Sequence, residues 1–505
     1  MHLDLLLDMA VSGHGSRVAF GPRDGGLTGE DLAARSEVGA ERLAALDAGH
    51  LVFVGTNGPA FPIALFAAAR AGIPLVPLNY RQTPEQIAAL IADLEHPVIV
   101  HDPALASLVA DVDAPAMTTD SFATSVPDAW SEGPPAPSNG DPDATALLLF
   151  TSGTTAAPKA AVLRHRHLAA YVMTTVEFSN ADEDAASLVS VPPYHIAGVS
   201  NTITNLYAGR RVVHLANFDP AAWLDLATRE SVTHALIVPT MLSRIVDHLD
   251  ATGTMPPPQL RTLAYGGAPM PATVIERALG HFPDTDFVNA YGLTETSSTI
   301  SVLGPDEHRD ALASDDPAVR ARLGSAGVVV PGIEIEIRDD AGDLVGAGQT
   351  GDLWVRGEQV SGEYRGLGAT VDEAGWFATR DRAWVDDDGY LFIEGRADDT
   401  IIRGGENIAP AEIEEVLRRH GGVADAAVVG LPDEEWGQRI AAAVVTRPGA
   451  TPTETQLTDF VRAALRSAKA PEEIRFVDEL PLTDTGKLVR RDVVAQFLAS
   501  EGTTP

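Results

Sequence analysis

The sequence predicts an α/β protein with a large N-terminal domain and a small C-terminal domain. Short apolar segments alternate with helical patterns in the first half of the chain, as in βαβ units with mostly parallel sheets. Residues 324–395 change to short strands with glycine turns, which predicts a small β-barrel or sandwich. We therefore expect two βαβ-type subdomains and a small β-barrel, followed by a small α+β domain.

The N-terminal part supplies both components of the βαβ units. Apolar runs of strand length predict buried strands at residues 51–54, 75–78, 97–100, 146–150, 212–213 and 235–238. Helical patterns between them predict helices at residues 61–71 and 84–94. Proline-rich segments at residues 133–137 and 255–258 predict loops.

The later elements follow the same signals. Short strands are predicted at residues 333–338, 351–356 and 389–393. A helix is predicted to begin at Pro410, because Ile413, Val416 and Leu417 then share one face. The remaining C-terminal elements are predicted strands at 426–431 and 440–445 and an amphipathic helix at 457–465.

The 505-residue chain is strongly acidic. Its formal net charge is −35, from 36 basic and 71 acidic residues. This charge argues against nonspecific binding of nucleic acid or of anionic membranes. The chain contains no cysteine, which excludes disulfides, thiol nucleophiles and cysteine-based metal sites. Its only lysines are Lys159, Lys469 and Lys487, which fit either sites that need a compact ammonium or ordinary surface positions.

The sequence gives no sign of membrane insertion or secretion. The longest apolar run, residues 60–69, contains Pro62 and is too short to span a bilayer. The first residues are acidic where a secretion signal carries lysine or arginine. We therefore expect a cytoplasmic enzyme.

The first motif that carries chemistry is TSGTTAAPK at residues 151–159, directly after a predicted strand. A hydroxyl- and glycine-rich turn that closes on a lysine can cradle phosphates, because backbone N–H groups and hydroxyls donate and the ammonium offsets charge. The motif is not a Walker A loop, since GxxxxGK[ST] is absent. Taken alone, it is also compatible with an ordinary loop.

The second motif is NAYGLTE at residues 289–295. Gly292 predicts a tight turn, and Thr294 and Glu295 form a hydroxyl–carboxylate pair. A carboxylate beside a triphosphate is a natural ligand for Mg²⁺. Elsewhere, a lone glutamate is usually solvated or paired.

Three further motifs lie towards the C-terminus. They are GWFATRD at 375–381, GRADDTIIRGGENIAP at 395–410 and PLTDTGK at 481–487. An acid after a turn can accept hydrogen bonds from both ribose hydroxyls, which makes Asp381 a candidate ribose ligand. Lys487 lies on a glycine-containing loop.

In this order and spacing, the motifs resemble those of the acyl-adenylate-forming superfamily of acyl-CoA synthetases, luciferases and peptide-synthetase adenylation domains. The resemblance covers essentially the whole chain and includes VPPYHIAG at 191–198 and YGGAP at 265–269. Within the superfamily, the CoA ligases look most similar. The resemblance implies an ATP-dependent carboxylic acid–CoA ligase that works through acyl-AMP, with ATP, Mg²⁺ and CoA as its ligands.

The resemblance also assigns roles to individual residues. It implies that Lys487, Glu295 and Thr294 are catalytic, and that Glu295 binds Mg²⁺. A lysine ammonium between the substrate carboxylate and the α-phosphate would offset the repulsion between two anions. The residues implied to bind ATP or AMP are Thr151, Ser152, Gly153, Thr154, Thr155, Lys159, Gly267, Ala268, Pro269, Asn289, Ala290, Tyr291, Gly292, Asp381 and Arg396.

The implied domains are an AMP-binding domain at residues 1–396 and a mobile C-terminal domain at residues 397–505, with a hinge near Asp398. Rotation about this hinge would withdraw Lys487 after adenylation and bring in a pantetheine-binding loop. The residues implied to contact CoA are Gly404, Gly405, Glu406 and Lys469. For Lys469 an ordinary surface position fits equally well.

The implied acyl pocket contains residues with small or hydroxyl side chains. Ala197 and Gly198 suggest room for a bulky or long group, so we expect an apolar acid of the fatty, aromatic or alicyclic type. His195 lies on an apolar segment, which favours a packing or gating role. The full implied set is His195, Ala197, Gly198, Ser200, Ser298 and Thr299.

Three residues depart from the superfamily pattern. Ala156 and Ala160 stand in the phosphate motif where glycine is usual, and Arg380 stands at the ribose turn where glycine is usual. Alanine does not adopt a positive φ cheaply, and arginine adds bulk beside Asp381. These changes suggest altered nucleotide affinity or loops with ordinary φ.

Two other functions stay open at this point. One is a standalone adenylation enzyme that loads a carrier protein, and the GGEN sequence at 404–407 in a complete small domain favours CoA over it. The other is a degenerate nucleotide-binding protein, against which the joint presence of Lys159, Glu295, Asp381 and Lys487 argues. A homodimer also stays open.

Overall fold

The computed structural model describes residues 1–124, 140–151, 159–403, 406–433, 436–465, 467–483 and 487–501. Within them, the helices are α1 Asp4–His14, α2 Gly29–Ala45, α3 Ala60–Ala71, α4 Pro84–Ala92, α5 Thr119–Thr124, α6 His165–Thr175, α7 Ile196–Ala208, α8 Pro220–Arg229, α9 Pro239–Thr252, α10 Ala272–His281, α11 Pro305–Ala313, α12 Pro317–Ala321, α13 Pro410–Arg419, α14 Glu454–Ala464 and α15 Arg490–Glu501. The strands are β1 Val18–Phe20, β2 Leu27–Thr28, β3 His50–Val54, β4 Leu75–Pro77, β5 Pro97–His101, β6 Ala116–Thr118, β7 Thr145–Thr151, β8 Lys159–Arg164, β9 Ala186–Val189, β10 Arg211–His214, β11 His234–Ile237, β12 Thr262–Gly266, β13 Asp286–Leu293, β14 Ser298–Leu303, β15 Val328–Val329, β16 Ile333–Arg338, β17 Gly351–Gly357, β18 Glu363–Tyr364, β19 Gly368–Ala369, β20 Phe377–Val385, β21 Leu391–Arg396, β22 Ile401–Arg403, β23 Glu406–Ile408, β24 Val423–Asp433, β25 Gly437–Thr446 and β26 Glu473–Phe476.

Two large mixed sheets form the body of the N-terminal domain. Their strand orders are β15-β14-β13-β12-β11-β9-β10-β1-β2 and β19-β18-β8-β7-β4-β3-β5-β6. The central strands are parallel, as β3 is to β4 and β5, and antiparallel strands extend the sheets towards their edges, as β14 does beside β13. The predicted alternation of buried strands and helices is confirmed.

Helices cover both faces of each large sheet. A core between the two sheets contains Phe20 from one sheet, Phe53 from the other, and side chains of α2 and α3. A second core packs α8, including Trp223, against the outer face of the first sheet. A third packs Ile87 of α4 against Leu148 on the outer face of the second sheet. Because both faces are covered, the parallel strands are continuous apolar runs in the sequence.

Local sequence signals fix where several helices begin. The Thr83 hydroxyl accepts a hydrogen bond from the Gln86 N–H, and the Gln86 side-chain oxygen accepts one from the Thr83 N–H. This capping box precedes Pro84, the first residue of α4. Pro410 is likewise the first residue of α13, where Ala409 provides no side-chain cap. Both helices begin at the residue that the sequence predicts.

Where the sequence predicts a small β-barrel, the described residues form an open antiparallel sheet in the order β16-β17-β20-β21. Its apolar face is covered by Ile300 and Ala326 from neighbouring segments, so the edge strands need not pair with each other. The sequence prediction also missed β20, because its polar centre reads as a turn. Asp381 therefore lies within a strand and not after a turn.

The C-terminal residues pack around their own sheet. β24, β25 and β26 form a three-stranded sheet, and β22 pairs with β23. Ile413 of α13 and Leu457 of α14 pack on one face, and Phe497 of α15 packs on the other. The mixed α/β fold with a large N-terminal and a small C-terminal domain is confirmed, while the boundary at 396/397 stays a prediction. In the described ranges, no helix has the length and apolar character needed to cross a membrane.

Candidate active site

The predicted phosphate loop connects β7 and β8. These strands pair antiparallel with Thr151 opposite Lys159, and the Thr151 hydroxyl donates to the Lys159 carbonyl at 3.4 Å. The Lys159 ammonium lies 5.9 Å from the centre of the Tyr364 ring. The hairpin therefore brings a cation close to Tyr364. Residues 152–158 of the loop lie outside the described ranges, among them the predicted phosphate-binding residues Ser152, Gly153, Thr154 and Thr155 and the substituted Ala156.

Two neighbouring parallel strands, β12 and β13, position several of the residues predicted to bind ATP or AMP. Tyr265 of β12 lies opposite Asn289 of β13, and Gly266 lies opposite Ala290. The Asn289 side-chain amide donates to the Ser325 carbonyl at 2.8 Å. The carboxyl ends of both strands thus meet at one edge of the sheet, where ligands of open α/β sheets bind. The predicted residues at this edge are Gly267, Ala268 and Pro269 after β12, and Asn289, Ala290, Tyr291 and Gly292 in β13.

Tyr291, Asp381 and Arg396 form what we call the ribose corner. β20 pairs with β21 so that Asp381 lies opposite Arg396. The Tyr291 hydroxyl donates to Asp381 Oδ2 at 2.5 Å, and Arg396 Nε lies 3.1 Å from Asp381 Oδ1. Burial raises the pKa of the Asp381 carboxyl, while Arg396 and the hydrogen bond from Tyr291 act in the opposite direction. The structure thus brings three predicted nucleotide-binding residues into contact.

Glu295 is a buried carboxylate with fixed contacts. It lies in the 3₁₀ turn Thr294–Thr296, which directly follows β13. The Tyr364 hydroxyl donates to Glu295 Oε1 at 2.6 Å, and the Glu295 carbonyl accepts from the Ser361 N–H at 2.8 Å. Burial and the neighbouring carboxylate raise the pKa of Tyr364, so the phenol keeps its proton and acts as the donor. An anchored carboxylate of this kind suits Mg²⁺.

Lys487 connects the C-terminal domain to these residues. The pKa of Lys487 is lowered because protein atoms crowd its ammonium and because Arg396 is near, while Asp381 and Glu295 act in the opposite direction. The residue as a whole remains exposed, yet its ammonium is within electrostatic reach of both acids. Lys487 is therefore within electrostatic reach of three of the predicted site residues, Asp381, Glu295 and Arg396.

Arg380 and the predicted hinge residue Asp398 lie next to each other. Arg380 has a φ of 62°, which is a left-handed conformation. The loop at this substituted position therefore does not have the ordinary negative φ that is one of the two explanations suggested by the sequence. Its guanidinium lies 3.9 Å from the Asp398 carboxylate, and the two side chains are 61% and 44% exposed. Asp398 lies in the 3₁₀ turn Ala397–Asp399. The other substituted residue in the described ranges, Ala160, lies in β8.

The predicted CoA residues are only partly described. Gly404 and Gly405 lie outside the described ranges, and Glu406 is the first residue of β23. Lys469 Nζ lies 2.5 Å from Glu412 Oε2 within the C-terminal domain. In this orientation of the domains, Lys469 therefore forms an ion pair of the kind expected for a lysine at an ordinary surface position.

The predicted acyl-pocket residues meet where α7 faces β14. Ser200 of α7 places its Oγ 3.3 Å from Ser298 Oγ of β14, and we call this pair the acyl wall. Thr299 is the next residue of β14, and His195 directly precedes α7. The structure therefore gives the predicted pocket a hydroxyl-bearing side.

The packing of α7 accounts for the small residue at Gly198, and its place in the acyl pocket stays a prediction. Gly198 is buried in the first turns of α7, directly after Ala197. A side chain at Gly198 would meet the Pro192 carbonyl oxygen at 2.6 Å. The glycine is therefore required by the packing of α7 against the preceding loop.

Sequence reasoning missed two residues close to Glu295. Tyr364 donates to its carboxylate, as described above, and Gln359 donates through its side-chain amide to the carbonyls of Thr296 and Thr299 at 3.0 and 2.8 Å. Both lie at or just before β18 in the connection after β17. No spacing in the sequence links this connection to Glu295.

Family models match both parts of the chain. The model for AMP-binding enzymes matches residues 7–365, and the model for the C-terminal domain of AMP-binding enzymes matches residues 412–487. The chain belongs to the AMP-binding enzyme family. The first matched range of this AMP-binding enzyme contains Glu295, and the second ends at Lys487.

Several curated relatives of this AMP-binding enzyme match most of its length. A feruloyl-CoA synthase from Amycolatopsis sp is 34% identical and covers 88% of each chain. An indoleacetate–CoA ligase from Aromatoleum aromaticum is 32% identical and covers 95% of each chain. A fatty acid–[acyl-carrier-protein] ligase from Streptomyces coeruleorubidus is 32% identical and covers 88% of this chain and 86% of the relative. Family and relatives together make this chain an AMP-forming acid–thiol ligase.

Solved structures of the AMP-binding enzyme fold agree with this one along the chain. The o-succinylbenzoate-CoA synthetase of Bacillus subtilis, in complex with its acyl-adenylate intermediate, is 27% identical with a TM-score of 0.83 and 97% of each chain covered. An amide bond synthetase from Marinactinospora thermotolerans is 27% identical with a TM-score of 0.84, covering 98% of this chain and all of that one. Both likenesses extend over the two domains.

Proposed function

We propose that this enzyme is a carboxylate–CoA ligase that converts an apolar acid and ATP to acyl-AMP and pyrophosphate, and then transfers the acyl group to CoA. The observation that carries the proposal is that the Lys487 ammonium lies within electrostatic reach of Asp381, Glu295 and Arg396, of which Asp381 and Arg396 are in direct contact. Adenylation of a carboxylate requires an ammonium at the reacting groups, an acid that binds the ribose and an acid that binds the metal ion. In this proposal Lys487, Asp381 and Glu295 supply these groups.

The residues fit an anionic nucleotide and a divalent cation. The net charge of −35 repels polyanions as a whole, so attraction has to come from local cations. Lys159, Arg396 and Lys487 are such cations. Glu295, anchored by Tyr364, would hold Mg²⁺, which offsets phosphate charge when bound. The B. subtilis o-succinylbenzoate-CoA synthetase has been solved with ATP and a magnesium ion, which supports this fit.

In the first half-reaction, a carboxylate oxygen forms a bond to the α-phosphorus of ATP. The bond from that phosphorus to the bridging oxygen of the β-phosphate breaks, and pyrophosphate leaves with both electrons. Because the reactants are both anions, Lys487 stabilises the transition state by offsetting their repulsion and the charge that develops on phosphorus. Asp381 holds the ribose, so the α-phosphate stays in line for attack.

In the second half-reaction, the thiolate of CoA attacks the acyl carbonyl, and AMP leaves with the oxygen that joined it to the acyl group. Because Lys487 acts at the substrate carboxylate in the first half-reaction, its ammonium has to withdraw before CoA reaches the acyl carbonyl. The exposed pair of Arg380 and Asp398 lies at the predicted pivot for this movement. Withdrawal of the C-terminal domain would open the site to the narrow pantetheine arm.

Loading of a carrier protein is the second candidate, because the fatty acid–[acyl-carrier-protein] ligase is 32% identical to this chain. The two acceptors present the same pantetheine thiol and differ only in the body attached to it. The feruloyl-CoA and indoleacetate–CoA relatives favour CoA and support an acid with an apolar, aromatic body.

The experiment measures pyrophosphate release from Mg-ATP with a panel of fatty, aromatic and alicyclic acids. Thioester formation is then measured with CoA and, separately, with a phosphopantetheinylated carrier protein. We expect pyrophosphate with at least one apolar acid, and a thioester with CoA. A thioester with the carrier protein alone would support the second candidate, and no pyrophosphate with any acid would contradict adenylation.

A further inference from the structure

We infer that Gln359 is a positioning residue that holds a strained turn between the metal-binding carboxylate and the acyl pocket in its active shape. The inference rests on the proposed function, because that function gives Glu295 and Ser298 their roles. Gln359 is 3% exposed and lies in the connection between β17 and β18. It belongs to none of the motifs that the sequence singles out.

The turn after Glu295 has an unfavourable backbone. Ser297 has a φ of 56° and Ser298 a φ of 118°. Residues other than glycine rarely adopt the second value, so the surrounding structure has to hold it. The turn also packs closely against β13, since a side chain at Gly292 would meet the Ser298 carbonyl oxygen at 1.8 Å.

Gln359 supplies hydrogen bonds on both sides of the two serines. Its side-chain Nε2 donates to the carbonyl of Thr296 at 3.0 Å and to the carbonyl of Thr299 at 2.8 Å. A carboxamide has two N–H donors, so both bonds form at once. The Ser297 hydroxyl donates in return to the Gln359 carbonyl at 2.8 Å. Gln359 thus holds both ends of the turn from outside, while the Thr296 hydroxyl contacts the Ser298 carbonyl at 2.7 Å from within it.

The fixed turn joins two functional parts of the site. On its N-terminal side, Tyr364 and Ser361 hold the carboxylate and the carbonyl of Glu295. On its C-terminal side, Ser298 contacts Ser200 across the acyl wall. The connection that contains Gln359 therefore supports the metal-binding carboxylate and the acyl wall together.

A double-mutant cycle tests the inference. Gln359→Met keeps the size of the side chain but removes both donors, and should lower kcat for adenylation by about 10²-fold through misplacement of the turn. Ser298→Gly is then added, because glycine adopts a φ of 118° without support. In the Ser298→Gly background, we expect Gln359→Met to cost less than about 10-fold.

An equal loss in both backgrounds would overturn the inference, because it would mean that Gln359 acts by packing and not by holding the serines. Wild-type activity in Gln359→Met would overturn it as well. Melting temperatures are measured for every variant. If Gln359→Met does not fold, Gln359→Leu lacks both donors as well and adds no charge, and the same rescue is expected.

Hydrogen exchange separates this inference from the proposed function. In Gln359→Met, we expect faster amide exchange confined to the peptide that contains residues 293–299, and recovery when Ser298→Gly is added. Unchanged exchange would contradict the inference even if the enzyme adenylates an acid. Faster exchange in an enzyme that releases no pyrophosphate with any acid would support the holding of the turn and contradict only the proposed function.

Discussion

The ribose corner and the acyl wall of the candidate site are held by different kinds of contact. In the ribose corner, the buried Asp381 carboxylate accepts from a phenol at 2.5 Å and faces a guanidinium at 3.1 Å. In the acyl wall, the neutral hydroxyls of Ser200 and Ser298 lie 3.3 Å apart. Hydrogen bonds to charged groups are roughly twice as strong as neutral ones, so the two regions differ in how much a single substitution disturbs them.

From this difference we expect the ribose corner to affect the reaction with every acid, and the acyl wall to affect which acids are preferred. A lost partner in the ribose corner leaves a charge without compensation, which raises the cost of binding the nucleotide for every acid. A lost hydroxyl in the acyl wall changes the shape and polarity of the pocket and leaves the nucleotide contacts in place. We therefore expect substitutions near the nucleotide to slow the reaction of all acids alike, and substitutions in the acyl wall to change their ranking.

Lys487→Ala should have the largest effect, because it removes the cation that extends the ribose corner towards the reacting atoms. Adenylation of every acid should slow by about 10²-fold or more. Thioester formation from supplied acyl-AMP should be retained, because in the proposed mechanism the lysine withdraws before that step. Pyrophosphate exchange and single-turnover thioester formation measure the two half-reactions separately.

The matched control is Arg491→Ala, which removes an exposed cation of the same domain that pairs only with its neighbour Asp492 among the contacts described. Both half-reactions should stay at the wild-type rate in this variant. If Lys487→Ala slowed both half-reactions equally, its assignment to adenylation alone would be wrong.

Asp381→Asn tests the ribose corner at its centre. The variant keeps the size of the side chain but takes the charge away from Arg396 and from the ribose hydroxyls. Hydrogen bonds to charged groups contribute about 1.5–3 kcal/mol, so KM for ATP should rise about 10- to 100-fold. The ranking of acids should stay the same, and a changed ranking would break the separation of the two regions.

Asp352→Asn is the control for this variant. Asp352 lies on the neighbouring strand β17, 40% exposed, and 3.5 Å from Arg382. Because surface substitutions usually have small effects, KM for ATP should stay within about twofold of wild type.

The sequence is a good guide to the fold where an element carries its own signal. The apolar run of β7 and the capping box of α4 are local features, and both elements appear where they are predicted. β20 was missed because Thr379, Arg380 and Asp381 interrupt its apolar pattern. Its extended conformation comes from pairing with β17 and β21, which a local pattern does not contain.

The same reasoning explains what the sequence shows of the site. Asp381, Glu295 and Lys487 carry reactive groups within short motifs, so the residue types and their order suggest a role. Tyr364 and Gln359 have ordinary side chains whose partners lie 69 and 60 residues away in the chain. Their roles depend on tertiary contacts, and only the folded structure shows them.

Arg380→Gly should have a smaller effect, at the border of the ribose corner. Glycine adopts the φ of 62° freely, whereas arginine bears a left-handed backbone that costs about 1 kcal/mol. The variant also loses an exposed ion pair with Asp398, worth at most about 1 kcal/mol. We expect an equal or higher Tm. We also expect a thioester half-reaction faster by up to about fivefold, because the ion pair at the predicted hinge would oppose rotation of the C-terminal domain.

Arg380→Asn separates the two contributions, because asparagine tolerates the left-handed conformation and lacks the charge. The same acceleration in both variants would assign the effect to the ion pair at the hinge. Acceleration in Arg380→Gly alone would assign it to the backbone. A slower thioester half-reaction in both variants would contradict the view that this pair opposes rotation of the C-terminal domain.

Ser200→Ala should have the smallest effect and sharpens the comparison most directly. It removes one hydroxyl of the acyl wall and leaves the other, Ser298, without its neighbour at 3.3 Å. A neutral hydrogen bond contributes about 1 kcal/mol, so KM for an individual acid should change by up to about fivefold, with different changes for different acids. KM for ATP should not change. Initial rates with the same panel of acids measure both quantities.

Thr202→Ala is the matched control for the acyl wall, since Thr202 is also buried on α7 and its hydroxyl donates within the helix to the Gly198 carbonyl at 2.9 Å. This variant should keep the wild-type ranking of acids. If Ser200→Ala instead raised KM for ATP and kept the ranking of acids, the acyl wall would belong to the nucleotide site. Selectivity would then have to come from another part of the pocket.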